Sequence, residues 1–377
     1  MPILFQMYVE KYATSLLSEF EFEYAAISSS NLKKYSCKAT KAIDSIVSHA
    51  PEGSVIFVVG GEVLCCRSRS LFLHMQSNAF QHFLFKAFNK LVPKAFQWYS
   101  SRCYSTSWEF PFIPSSHFFS HKVKVVFNTV GGDFSTLTES ELSEVKSRLC
   151  AAEYISVRDK RTFNNMSSIE VNSILAPDSA FIMSDLISYD CLVSKVKQSI
   201  VTQLNGKYYV FQAAPNKVGN SINECISQIR ILAQQGRVKV VLLPIGYASG
   251  HDDYMLLDKI HQAIPDVTLM LNNLTIWEIM YVIAKSSAYF GTSLHGAITA
   301  MSFGIPHFGI NKKVVKLDAF LRDWSVAPFN RCYSISEISQ LVEYISKENT
   351  LELKKQSKLN IAKVKANYEA MLASIVS

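Results

Sequence analysis

The stretch AYFGTSLHGAITAMSFGIPHFG (288–309) decides the fold, because it reads as strand, turn, helix and strand in succession. Ala288, Tyr289 and Phe290 form a short apolar run that stops at Gly291, where the backbone can turn without a Cβ. Thr292 or Ser293 is placed to cap the helix that follows, whose first N–H groups have no partner within the helix. Residues 294–303 carry that helix, Gly304 ends it and Pro306 bars its continuation before His307, Phe308 and Gly309. The positive end of such a helix attracts an anion, and His295 falls in its first turn.

The same alternation runs outward in both directions. Upstream, strands are expected at 208–213, 238–244 and 267–271, with helices at 222–235, 253–264 and 276–284. Nearer the start, 8–20 has helical spacing, 22–27 reads as a strand, and 55–59 is a buried strand running into Gly60-Gly61-Glu62. A strand at 123–127 ends near Gly131-Gly132, and 154–157 leads into Arg158-Asp159. Between them Thr138 and Glu141 have the spacing of a capping box at the head of a helix over 138–149. Strands alternating with helices predict α/β architecture: two doubly wound Rossmann-like domains facing a cleft, glycosyltransferase-B-like. We expect an N-terminal domain over 1–190, a C-terminal domain over 191–340, and a C-terminal helix over 341–377 packing back on the body. Residues 177–206 read as the connector.

The composition fits this reading. The 377 residues are 49% hydrophobic and 18% charged, which supports folded cores and excludes a disordered chain. No apolar run is long enough to span a bilayer, and Met1-Pro2-Ile3 lacks the features of a signal peptide, so a cytoplasmic protein is expected. Eight cysteines without paired spacing predict reduced thiols rather than a disulfide framework or a zinc site. The net charge of +7 suits an anionic small substrate or a membrane surface, and no basic stripe interleaved with aromatics suggests nucleic acid.

The segment 288–309 resembles the signature of the polysaccharide pyruvyl transferase family, a serine-x-leucine-histidine-glycine element followed by an apolar helix and glycine-x-proline. Tyr154-Ile155-Ser156-Val157-Arg158-Asp159 resembles that family's strand ending in arginine-aspartate, Ala176-Pro177-Asp178 its proline-aspartate, and Gly60-Gly61-Glu62 a third motif in the same order. Two positions depart from the pattern: Ser293 stands where many members have arginine, and the glycine-rich opening turn is missing at Met1-Pro2-Ile3.

The resemblance implies phosphoenolpyruvate as donor and co-substrate, a sugar with two suitable hydroxyls as acceptor, and a cyclic pyruvate ketal on a bacterial surface polysaccharide or its precursor. His295, Arg158 and Asp159 are the expected catalytic residues. Thr292, Ser293, Leu294, His295, Gly296, Arg158, Lys312 and Lys313 are expected on the donor. Arg161 and Lys217 are weaker candidates of the same type. Gly60, Gly61, Glu62 and His74 are expected on the acceptor, with Glu62 and the group His251-Asp252-Asp253 as further bases. No metal or other cofactor is demanded; a Mg²⁺ ion is compatible but not required. Two other readings stay open: a nucleotide-sugar-dependent glycosyltransferase of the same architecture, for which 275–296 offers Glu278 but no glutamate pair, and a non-catalytic carbohydrate-binding relative.

Two segments suggest peripheral contact with the inner face of the plasma membrane, where a lipid-linked sugar would be met. In 80–99, Phe80, Phe83, Leu84, Phe88 and Leu91 share a helical face beside Lys86, Lys90 and Lys94. This face is either core or a surface that docks on a bilayer. In the C-terminal helix, Ile361, Val364, Tyr368 and Met371 form an apolar stripe backed by lysines, which packs on the body or touches a membrane.

Overall fold

The computed structural model describes residues 1–16, 20–47, 49–76, 78–104, 109–115, 119–218, 221–246 and 253–376, with the side chain of Ala79 left aside. The chain forms two compact units. One comprises Met1–Lys33, Lys38–Ser179 and Lys363–Ser377, the other Lys34–Cys37 and Ala180–Ala362. The passage between them falls at 179/180, where the sequence suggested 190/191, and the last helix, Lys347–Val376, contributes residues to both.

The first unit holds a two-stranded parallel pair, β1 (Ala25–Ala26) with β2 (Lys41–Ala42), and a four-stranded sheet. That sheet runs in chain order, β3 (Val55–Val59), β4 (Lys124–Val130), β5 (Tyr154–Val157) and β6 (Ile174–Leu175), all parallel. Val58, Phe127, Val130, Ile155 and Val157 bury its face against Val145 and Leu149 of the helix Glu139–Cys150 and Met166 of the helix Lys160–Ser168. The capping box at Thr138 and Glu141 is formed as expected. The expected strand over 22–27 shrinks to Ala25–Ala26, and the expected helix over 8–20 is instead Pro2–Tyr12, begun by a proline in its first turn. Its Phe5 and Tyr8 stack on Tyr368 from the end of the chain, a partner invisible to local periodicity.

The second unit is a six-stranded parallel sheet of β7 (Tyr208–Gln212), β8 (Lys239–Leu242), β9 (Thr268–Met270), β10 (Ala288–Gly291), β11 (His307–Ile310) and β12 (Cys332–Tyr333). Their spatial order is β12-β11-β10-β7-β8-β9. The chain lays β8 and β9 outward from β7, returns across it, and lays β10, β11 and β12 outward on the other side. This is the doubly wound Rossmann order, and its reversal lies between β7 and β10. Strands buried on both faces read as continuous apolar runs, which is why Tyr208–Gln212 and Ala288–Gly291 have no alternation. Phe211, Leu242, Phe290 and Phe308 centre the core, with Ile229 and Leu232 from Ile222–Gly236 and Leu257 from Asp253–Ala263. The stretch expected as a connector contains the short helices Met183–Leu186, Tyr189–Val193 and Gln198–Gln203. The fold class is thus α/β with two Rossmann-like units.

In the last helix Val364, Tyr368 and Met371 are fully buried, so its apolar stripe is spent on packing inside the protein. Among the described residues no helix is long and apolar enough to cross a membrane.

Candidate functional site

Ligands of open α/β sheets bind beyond the carboxyl ends of the strands where strand order reverses. In the second unit those ends are Gln212 of β7 and Gly291 of β10, which are register partners. Gln212 is buried, and its Oε1 accepts the N–H groups of Thr292 (3.1 Å) and Ser293 (2.8 Å) and the Tyr289 hydroxyl (3.3 Å). Its Nε2 donates to Asp253 Oδ2 at 2.8 Å. The same oxygen of Asp253 accepts the N–H groups of Ile245 (3.0 Å) and Gly246 (2.9 Å). Burial pushes the Asp253 carboxyl above its ordinary value, and these donors pull against that rise. One carboxamide therefore ties together the ends of β7 and β10 and the turn after β8, satisfying backbone groups that burial would otherwise strand.

The turn leads into the helix Leu294–Ser302. Ser293 is its N-cap, with Oγ accepting the Gly296 N–H at 3.3 Å, while Thr292 points inward and accepts the Ala214 N–H at 3.2 Å. The two hydroxyls that the sequence left as alternative caps thus divide the work. The glycines are explained by one ring. A Cβ at Gly291 would fall 2.5 Å from the Tyr289 Cζ, and one at Gly296 would fall 2.6 Å from it, so neither position admits a side chain. With Leu294 and Gly296 buried and His295 exposed, the histidine is the member of the signature presented outward from the helix's first turn. A cation is built in beside the turn: Lys217, whose Nζ donates to the Thr292 carbonyl at 2.9 Å. Burial lowers its ammonium pKa, and the neighbouring Lys316 lowers it further.

In the first unit the strand ends carry charge instead. Gly60 and Gly61 take φ of +59° and +81° to turn the chain after β3 and deliver Glu62 beside β4. Arg158, which follows β5, is 2% exposed; its Nη2 donates to Glu62 Oε2 at 2.7 Å and its Nη1 to Asp178 Oδ2 at 3.3 Å. Asp159 lies 3.8 Å from Arg158 Nε. It caps the helix Lys160–Ser168, its Oδ1 taking the N–H and hydroxyl of Thr162, each at 2.8 Å. Arg161 also donates to Glu62 and lies 3.7 Å from Asp159. A Cβ on Gly131 would sit 2.9 Å from Arg158 Nε, so the guanidinium fills the space that glycine leaves. Three carboxylates, Glu62, Asp159 and Asp178, face two guanidiniums, Arg158 and Arg161, and Glu62 is the carboxylate that reaches the surface, 27% exposed.

The structure thus gathers Gly60, Gly61, Glu62, Arg158 and Asp159 in one cluster and Thr292, Ser293, Leu294, His295 and Gly296 in another. Arg158 is engaged by carboxylates on the first unit, and Lys312 pairs with Glu337 at 2.9 Å. Lys313 is exposed after β11, and His74 is exposed at the end of Ser68–His74. Lys217, a weaker candidate in the sequence than Lys312, is the one that lies beside the signature. His251 and Asp252 lie outside the described residues, whereas Asp253 proves to be the buried anchor of Gln212. Glu278 caps its own helix, Oε2 accepting the Thr275 N–H at 2.7 Å. Sequence reasoning missed Gln212; the signal was a single amide closing the apolar run YYVFQ at the end of an inner strand. Among the described residues no group of three or more His, Cys, Asp or Glu is placed to hold a metal ion.

The polysaccharide pyruvyl transferase family model matches residues 21–312. Among solved structures, UDP-GlcNAc 2-epimerase from Neisseria meningitidis bound to UDP-GlcNAc is 12% identical, with a TM-score of 0.51 over 85% of this chain and 98% of that one. The S. aureus MnaA–UDP structure is 13% identical, with a TM-score of 0.45 over 66% and 68% of the two chains. An α,α-trehalose 6-phosphate synthase from Burkholderia multivorans is 15% identical, with a TM-score of 0.41 over 71% and 68%. The epimerase likeness supports the glycosyltransferase-B-like fold class and carries no activity with it. No curated protein sequence matches the chain.

Proposed function

The chain belongs to the polysaccharide pyruvyl transferase family, and from that premise we propose that it transfers the enolpyruvyl group of phosphoenolpyruvate to two hydroxyls of one sugar, releasing phosphate and leaving a pyruvate ketal on a bacterial surface polysaccharide or its precursor. The observation that carries this reading is the signature turn at the strand-order reversal of the second unit. There, an exposed His295, the start of the helix Leu294–Ser302 and Lys217 meet.

The donor bears a phosphate and a carboxylate, so it calls for N–H donors and cations. The first turn of the helix, the Ser293 cap and Lys217 supply them, with Lys313 as a further cation from beyond β11. Protonation of the donor's methylene carbon leaves cationic character on the adjacent carbon. One sugar hydroxyl adds there and gives up its proton. A second hydroxyl then displaces phosphate, closing the ketal and releasing its own proton. The proton consumed at carbon and the two released from oxygen need groups that exchange protons near neutrality, and His295 is the imidazole of the signature. Acceptor hydroxyls suit the first unit's cluster, where carboxylates outnumber guanidiniums and Glu62 can accept a hydrogen bond or a proton. In this reading Arg158 and Asp159 position Glu62 and do not touch the donor.

The test is incubation with phosphoenolpyruvate and candidate sugars, reading phosphate release together with a mass gain equal to pyruvate less one water. His295→Ala is expected to lower the rate about 100- to 10,000-fold with an unchanged melting temperature; a fully active variant removes His295 from the chemistry. Transfer that depends on a nucleotide sugar instead would favour a glycosyltransferase, against which the commitment of Glu278 to helix capping already speaks.

A further inference from the structure

The helices Ala79–Leu91 and Pro93–Cys103 form a hairpin on the first unit whose apolar residues divide into two sets. Phe85 and Phe88 turn inward, with ring centroids 6.2 and 5.5 Å from Phe96, which is fully buried. Phe72 lies 5.0 Å from Phe85 and 5.8 Å from Phe96, completing an aromatic core for the hairpin. The other set points outward: Phe80 is 68% exposed, Phe83 67%, Leu91 79% and Trp98 63%. Phe88, which the sequence placed on one face with Phe80 and Phe83, belongs to the inner set.

A surface helix normally has one apolar stripe, and the core already takes it here. The second stripe lies at 80, 83, 84 and 91, at helical spacing, and it leaves large side chains in water without packing. Between Ala79 and Cys103 stand four cations, Lys86, Lys90, Lys94 and Arg102, all exposed, and no aspartate or glutamate. Arg102 sits over the Trp98 ring at 5.4 Å, an amphipathic pairing suited to an interface that is apolar on one side and wet on the other. The neighbouring carboxylate, Glu109, is half-buried and already engaged, accepting from Gln97 and lying 3.9 Å from Arg69.

We propose that this hairpin docks the protein on an anionic lipid bilayer, the outward aromatics entering the headgroup region and the four cations meeting the lipid phosphates. Charge decides between this occupant and a second copy of the chain, because self-pairing would set four cations against four without a carboxylate on either side. The docking is independent of the transferase reading, since it is read by vesicle binding and the other by phosphate release.

The experiment is cosedimentation of the full chain with vesicles of phosphatidylcholine alone and of phosphatidylcholine with about one third phosphatidylglycerol. Binding to the anionic vesicles is expected to exceed binding to the neutral ones about tenfold or more, and to fall as salt rises. Phe80→Ser with Phe83→Ser, and separately Lys86→Glu with Lys90→Glu, should each weaken it at least about tenfold. Circular dichroism and the melting temperature should remain those of the parent, since all four side chains are exposed. Equal binding to both vesicle types, or unchanged binding by the folded aromatic variant, overturns the proposal. So does a dimer that the aromatic variant dissolves while vesicle binding is absent, which would assign the surface to a second copy.

Discussion

The two sheets end differently at the strands that matter. Where β7 and β10 end in the second unit, a neutral carboxamide answers the backbone and an aspartate holds that carboxamide, so polarity is satisfied with little charge to spare. Where β3 and β5 end in the first unit, the same task falls to five ionised side chains that largely answer one another. The difference follows from topology. The second sheet reverses its strand order, the feature at which ligands of open α/β sheets bind, while the first runs in simple order and its cluster first of all holds its own loops together. A charged ligand is better received where the protein has not already neutralised its own charges.

This contrast can be broken most severely at Arg158. Arg158→Met leaves Glu62 and Asp178 without their shared cation, and a loss of about 4 kcal/mol is expected in chemical denaturation. A loss below about 1 kcal/mol would mean that the cluster behaves as a solvated ion pair. Acid should affect the second unit through His307, which is buried between the Ile305 carbonyl (3.0 Å) and the Ser325 hydroxyl (2.9 Å). Burial lowers its imidazole from the ordinary 6.5 to about 4. The unfolded chain therefore takes up this proton first as pH falls. The stability it contributes is complete above pH 6.5 and lost progressively toward pH 4. That loss is about 3 kcal/mol for the parent, and His307→Gln should flatten the profile of unfolding free energy over this range. The smallest effect is expected at Gln212. Gln212→Leu strands the N–H groups of Thr292 and Ser293 at a cost of about 2 kcal/mol, and its unfolding curve should lie between those of the parent and Arg158→Met. A cost equal to that of Arg158→Met would erase the distinction between the two clusters.

The sequence was most legible where local rules act alone. The capping box at Thr138 and Glu141, the inner strands of the second sheet and the turn at Gly291 all follow from neighbours within a few residues. What depends on distant partners was not legible. Helical spacing placed the first helix over 8–20 rather than Pro2–Tyr12, and the ring contacts of Phe5 and Tyr8 with Tyr368 lie beyond the reach of local spacing. Arg158 was found as part of a motif, yet its commitment to Glu62 and Asp178 required the fold to bring those residues together. Gln212 and Asp253 lie 41 positions apart and meet only because β7 and β8 pair. The aromatics of 80–99 were visible as a stripe, but spacing could not reveal that Phe88 turns inward while Phe80 and Phe83 turn out.

The last helix changes the order in which the protein can be finished during synthesis. The second unit needs nothing after Ala362, whereas the first takes in Lys363–Ser377. There Asn367 accepts the Tyr154 hydroxyl at 2.9 Å and donates to Asn128 Oδ1 at 2.8 Å, and Val364, Tyr368 and Met371 are fully buried. Domains commonly mature in the order in which they leave the ribosome. Here residues translated early must wait for Lys363–Ser377, and the unit carrying the signature turn has all of its own residues by Ala362.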